Sequence, residues 1–415
     1  MADPLAAPEQ ERSATWLELF FDVIFVINVA GLTHHLVAHP GLHALGQVAV
    51  LYVPLFLVWA GHTTYATRFD DGSTLQTVLT LLLMFMLAGS AVFVQSGMDP
   101  HAPTFARAQA GARLVLVLLY LEALVRVPAA RRFSGLLLAA FALSALAWGT
   151  HGLVPGPWRP WVYGATVALE LLVPLLAASG FGRRPAHPSH LPERLGLFTI
   201  IVLGEAVLGI VVGAVHLAGS QAARLAVTMS FTLPVGIWWF YFRLLDRAEL
   251  RPRVGGGQLL TYLHLPMTFA VVMMAAAVEV SLSGFATHTD GGGVGLAEAA
   301  RRIIGGGGRR EAGSALPGVR LLFGGLALWL ACFLALRVVV VGLRRLGAAG
   351  WATAGVVVAL ALGAALLGPV RATELFIFAG SLLLALAVLG SLLKELHQRR
   401  ITAAQRRMAG DSRQP

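Results

Sequence analysis

The sequence predicts an all-α fold: a polytopic integral membrane bundle of about 12 transmembrane helices, built as two six-helix repeats. Three observations predict it. Hydrophobic residues make up 57% of the 415-residue chain and charged residues only 13%, about half the charged share of a soluble domain. Apolar runs recur at close to the ~20 residues that an α-helix needs to cross hydrocarbon. The arginines stand at the ends of those runs, so the formal net charge of +10 reads as a set of topology determinants and not as a nucleic-acid surface.

Taken in order, residues 1–14 carry Asp3, Glu9 and Glu11 with Arg12 as the one base. That is not the basic n-region of a signal peptide, so a cytoplasmic N-terminal segment is expected. The first half, 15–180, holds spans near 15–36, 44–66, 76–97, 105–125, 133–150 and 158–180. A cytoplasmic connector follows at 181–196. The second half, 197–395, holds spans near 197–218, 222–245, 258–282, 319–342, 352–370 and 373–395, with a glycine-rich flexible external loop at 283–317. A basic cytoplasmic tail at 396–415 suits a surface of anionic lipid. With this count most bases, Arg194 included, fall on one side, which places both termini in the cytoplasm. Lys394 is the one lysine, an arginine bias that points to a GC-rich bacterial genome and to the cytoplasmic membrane. Cys332 is the one cysteine, so no intrachain disulfide forms.

The halves share features at a separation of roughly 180 residues, as parallel repeats would. Phe21-Asp22-Val-Ile-Phe-Val in the first span answers to Ile201-Val-Leu-Gly-Glu205-Ala-Val in the seventh. The second span ends on an aromatic cluster followed by Arg68 and Asp71, and the eighth on one followed by Arg243 and Asp246. These read as interfacial Arg/Asp pairs.

An ionisable side chain inside hydrocarbon costs several kcal/mol and marks a functional site unless a partner accounts for it. Helical spacing puts Glu18, Asp22, Phe25, Val29 and Thr33 on one face of the first span. Glu18 lies near the start of the span, where an interfacial role also suits it. Asp22 lies about 10 Å in from Thr15. Glu205 lies well inside the seventh span, with Gly209 and His216 on its face, and Gly196, Gly204, Gly209 and Gly213 permit close helix contact. Asp22, Glu205, Glu18, Arg113 and His216 are therefore the candidate transport or proton-binding residues. Arg113 is deep enough in the fourth span to need an anion, with Asp22 or Glu205 as its expected partner. Glu170, Glu279 and His264 read as structural or interfacial.

No metal site is expected. His35 and His39 have the i, i+4 spacing of metal ligands, but Pro40 follows at once and no second histidine box appears. Neither a nucleophile elbow nor a His-Glu-x-x-His pattern is present, so no catalytic residue and no cofactor are predicted. The partners expected are the lipid bilayer and a small solute or ion, with no nucleic acid.

Three stretches resemble one family, the bacterial low temperature requirement A (LtrA) proteins. They are Glu18-Leu-Phe-Phe-Asp22-Val-Ile-Phe-Val26, the Tyr65…Arg68-Phe-Asp70 ending of the second span, and Glu193-Arg194-Leu-Gly-Leu-Phe-Thr-Ile-Ile-Val-Leu-Gly204-Glu205. The resemblance covers about residues 15–395 and makes Glu193, Arg194 and Gly204 family-signature positions. Ile27-Asn28 and Ala206 depart from its pattern without touching the acids. It implies an integral membrane protein; the family name refers to growth in the cold and supplies no molecular activity. The reading that follows is a proton-coupled or ion-linked secondary transporter using intramembrane carboxylates. An ion channel, or an intramembrane enzyme acting on a lipid or lipid-linked substrate, is the alternative.

Overall fold

The structure, a computed structural model, describes residues 14–97, 103–176, 190–215, 217, 221–244, 256–289 and 312–341, together with Gly355 and Ala359. Among them there is helix and no strand. Nine helical stretches are long and apolar enough to cross a membrane. The expected sixth span is a helix of 18 described residues, Arg159–Leu176, that is not among those nine. The eleventh and twelfth expected spans and the basic tail lie outside the described residues, apart from Gly355 and Ala359.

Helix α1, Trp16–Ala38, opens on a capping box. The Thr15 hydroxyl accepts the Glu18 N–H at 3.3 Å, and the Thr15 N–H donates to the Glu18 carboxylate at 2.8 Å, which satisfies two donors at the helix start. The helix stops before Pro40, which cannot continue it. Helix α2, Leu42–Phe69, carries Pro54 in its interior. Proline has no N–H, so the Val50 carbonyl one turn back loses its helical donor; the Tyr163 hydroxyl donates to it instead. The turn into α3, Thr74–Gly97, needs Gly72 at φ 72°, a left-handed conformation that glycine adopts without strain.

Helix α4, Pro103–Arg126, is followed by a single 3-10 turn at Pro128–Ala130, then α5, Arg131–Thr150, and α6, Arg159–Leu176. Helix α7 spans His190–Ala214. The expected span at 222–245 is among the nine, as Arg224–Phe242, but it is interrupted. It comprises α8, Gln221–Ser230, then α9, Thr232–Trp239, and a π turn at Phe240–Leu244. Pro234 accounts for the break: its ring would meet the Ser230 carbonyl, and it has no hydrogen to give it. Helices α10, Gly256–Thr289, and α11, Ala312–Val341, follow. They extend into both ends of the expected external loop, whose residues 290–311 lie outside the described set.

Helix α1 is central, packing on α2, α3, α7 and α10. In the first half α1 packs on α3 and α3 on α4; in the second, α7 packs on α10 and α10 on α11. Large apolar side chains such as Phe85, Val92, Leu114 and Leu146 face outward, as they must where the solvent is lipid. Trp16 at the start of α1, and Trp158 and Trp161 at the start of α6, are exposed as well. Tryptophan at helix ends suits the two membrane interfaces.

Helix α7 begins seven residues before the position the hydropathy gave. Pro192 falls in its first turn, where no N–H is needed. His190 and Arg194 both point to buried acids, so neither has to remain in water. Residues 190–196 thus belong to the bundle and not to the connector.

Candidate functional site

Glu18 and Asp22, four residues apart on α1, meet His190 and Arg194, four residues apart on α7. The Arg194 guanidinium takes Asp22 in two contacts, at 3.0 Å to Oδ1 and 3.2 Å to Oδ2. This is the fork geometry in which arginine binds a carboxylate best. The Trp59 indole N–H from α2 donates to the same Oδ1 at 2.8 Å, and the Thr63 hydroxyl lies 3.5 Å from the guanidinium. One turn nearer the helix start, His190 Nε2 lies 3.1 Å from Glu18 Oε2. The Arg194 Nε stands 3.8 Å from Glu18 Oε1, beyond hydrogen-bonding range.

The cluster is dry. Asp22, His190 and Arg194 are fully buried and Glu18 is 2% exposed. His62 of α2 sits against it, its ring 4.3 Å from that of Phe21 and its Nε2 3.2 Å from the Thr80 hydroxyl. Among the described residues, four buried polar atoms here have no hydrogen-bond partner: Glu18 Oε1, Arg194 Nε, His190 Nδ1 and His62 Nδ1. Two carboxylates against one guanidinium leave one negative charge while both histidines are neutral. A single proton cancels it.

Arg113 is paired elsewhere. Neither Asp22 nor Glu205 is its partner: it holds Glu170 of α6 in two contacts of 2.8 Å. It also donates to Gln109 and, at 3.0 Å, to the Pro54 carbonyl, while Ser144 donates to the same glutamate. The guanidinium lies over the Trp148 ring at 5.6 Å. Every nitrogen of this arginine is occupied, as a closed structural staple between α2, α4, α5 and α6 requires. Glu170 is buried here.

A family model for the bacterial low temperature requirement A protein (LtrA) matches residues 13–389, which include every residue of both clusters. The chain belongs to the LtrA family. It is also 28% identical over 290 residues to an uncharacterized protein of Rhizobium meliloti (strain 1021), over 66% of this chain and 70% of that one.

The other candidates in this LtrA chain fall in separate places. Glu205 lies eleven residues beyond Arg194 on α7, about 16 Å along the axis, so it and Asp22 do not share a site. Its facing charge is Glu279 of α10. Asp71 pairs with Arg126, not with Arg68, and Arg126 also contacts Glu122 and the Phe69 carbonyl. Outside the membrane span, the Asp71 carboxyl is held below its ordinary range. Desolvation acts against this and is outweighed by the hydrogen bonds from Ser73 and the charge of Arg126 taken together. Arg68 is nearly buried, donating to the Thr64 carbonyl at 3.0 Å and lying over the Phe133 ring at 5.8 Å. His264 accepts from or donates to the Tyr241 hydroxyl at 2.8 Å inside the bundle.

Of the signature positions, Arg194 is in the cluster, Glu193 is half-buried, and Gly204 is exposed with nothing within 4 Å of a Cβ placed there. The close-contact glycines are Gly196, Gly209 and Gly213. His35 and His39 have rings 4.9 Å apart, and His35 contacts Gln47. Among the described residues no group of three or more His, Cys, Asp or Glu is placed to hold a metal. His216, Asp246 and the Arg243 side chain lie outside the described set.

Reasoning from sequence missed His190, Trp59, His62 and Thr63 as site residues. One signal could have found His190. His190…Arg194 and Glu18…Asp22 have the same i, i+4 spacing, two basic residues answering two acids, as two parallel helices in register demand.

Proposed function

We propose that this LtrA protein is a proton-coupled secondary transporter of the bacterial cytoplasmic membrane, with both termini cytoplasmic. The Glu18–Asp22–Arg194–His190 cluster takes up and releases the coupling proton. One observation carries the reading: a buried set of two acids, one arginine and one histidine whose charges, counted among the described residues, balance when the two acids and the histidine hold one proton between them. A structural staple such as Arg113–Glu170 needs no such proton. The cluster joins α1 to α7, the first helices of two proposed parallel repeats. That assignment draws support from the matching order of packing, α1–α3–α4 and α7–α10–α11. Protonation changes how strongly His190 and Glu18 hold each other, and so biases the relative position of the two helices. The cargo is a small solute or ion.

The test uses everted membrane vesicles, energised and loaded with a pH-sensitive dye, to which small cations and solutes are added in turn. A solute that collapses the proton gradient through the wild-type protein is expected to fail with Asp22→Asn and His190→Gln, while Glu170→Gln retains the response. Proton-linked transport surviving in both cluster variants would sink the proposal.

A further inference from the structure

Beyond the cluster, the same pair of helices continues toward a second polar meeting point. Glu205 is 5% exposed and faces Glu279 of α10. Gly209 and Gly213, one and two turns on, bring α7 and α10 together. A Cβ on Gly209 would lie 3.0 Å from the Ala275 carbonyl oxygen and 3.7 Å from the Glu279 Cβ. Among the described residues no lysine or arginine is paired with either acid. The titratable group facing Glu279 from α1 is His34, which is exposed.

Its neighbour Thr33 supplies an independent observation. Thr33 is 2% exposed and its hydroxyl has no hydrogen-bond partner among the described residues. The register between α1 and α7 runs from Glu18–His190 through Asp22–Arg194 to Phe25–Phe198, whose rings lie 5.1 Å apart. Continued along both helices, that register sets Thr33 level with Glu205, on the face of α1 that carries Glu18 and Asp22.

Two carboxylates facing each other, Glu205 buried and Glu279 half-buried, with the exposed, titratable His34 and no fixed positive charge paired with them among the described residues, draw a counter-charge. A proton shared between them supplies one but leaves the Thr33 hydroxyl unused. A hard cation can use all three oxygens, and among the described residues no group of three or more His, Cys, Asp or Glu is placed to hold a metal, which disfavours divalent and transition metals. We infer that Glu205, Glu279 and Thr33 form a binding site for an alkali-metal cation, separate from the Glu18–Asp22–Arg194–His190 cluster.

Thermal unfolding of the full-length protein in detergent, titrated with sodium, lithium or potassium chloride against choline chloride at constant ionic strength, tests this. A saturable rise in Tm with at least one alkali cation and none with choline is expected. Glu205→Gln and Glu279→Gln abolish the rise, Thr33→Val weakens the apparent affinity at least tenfold, and Thr33→Ser restores it. Asp22→Asn keeps the rise, so failure here is distinct from failure of the proton site. Stabilisation that follows pH alone, the same in alkali and choline salts, means a shared proton and overturns the inference; so does a rise that survives in both glutamine variants. Should those variants not fold, binding of radioactive sodium, rubidium or lithium-displaceable sodium to the wild type decides: no saturable uptake overturns it.

Discussion

Arg194 grips Asp22 from across two helices, at 3.0 and 3.2 Å, with neither side chain exposed. Breaking a buried pair by removing one partner typically costs about 3–5 kcal/mol, because a bare charge stays behind. Arg194→Met is therefore expected to lower Tm sharply. The double variant Arg194→Met/Asp22→Leu recovers much of the loss, since it leaves no charge stranded in that pair. Non-additivity in a double-mutant cycle, read by thermal unfolding, checks this; additive losses would show that the two residues do not depend on each other.

The Arg113–Glu170 staple carries the same kind of energy with a different consequence. Arg113→Met and Glu170→Gln each destabilise by an amount in the same range of roughly 3–5 kcal/mol. At temperatures where they remain folded, their transport rates match the wild type. A proton-coupling defect in Glu170→Gln at full folding would move this pair into the mechanism.

Helix contacts give a third test. A Cβ on Gly213 would lie 2.8 Å from the Leu282 Cβ and 3.3 Å from the Glu279 Cα, closer than either helix can yield without moving. Gly213→Ala lowers Tm. Gly204→Ala, with open space around it, leaves stability unchanged or raises it by up to about 1 kcal/mol through helix propensity.

At the interface the pH response has a fixed sign. The folded-state value of the Asp71 carboxyl lies below its ordinary one, because desolvation, which raises it, is outweighed by Ser73 and Arg126 together. Its contribution is therefore present above the usual aspartate range and is lost as pH falls through the folded value. Both partners are more than a third exposed or close to it, so the effect stays within about 1 kcal/mol. Asp71→Asn flattens the acid limb of Tm against pH by that amount, as a pH series of melting curves would record.

Most helix placement among the described residues was legible because length and hydropathy decide it in a bilayer. The start of α7 was not, because hydropathy counts His190 and Arg194 as residues that stay in water. Their burial depends on acids 172 positions away in the chain, which no local window registers. Asp22 was recognisable as a buried acid from its depth alone. Its partner was not, since Arg113 and Arg194 satisfy the same charge argument and only the packing of α1 on α7 and of α4 on α6 through α5 separates them. Glu205 and Asp22 looked like counterparts because each is one acid on an aliphatic helix. The axial offset between them follows from the α1–α7 register, which hydropathy does not contain.

Helices α1 and α7 begin on the same side, since His190 meets Glu18 and Arg194 meets Asp22. Aligned peptide dipoles leave about half a positive charge at each helix start, acting within the first turn. Two such starts converge beside Glu18, and together they offset about the one negative charge by which the carboxylates exceed the guanidinium. The backbone itself can thus steady the cluster while it holds no extra proton. A site that has to be emptied as well as filled needs that second resting state.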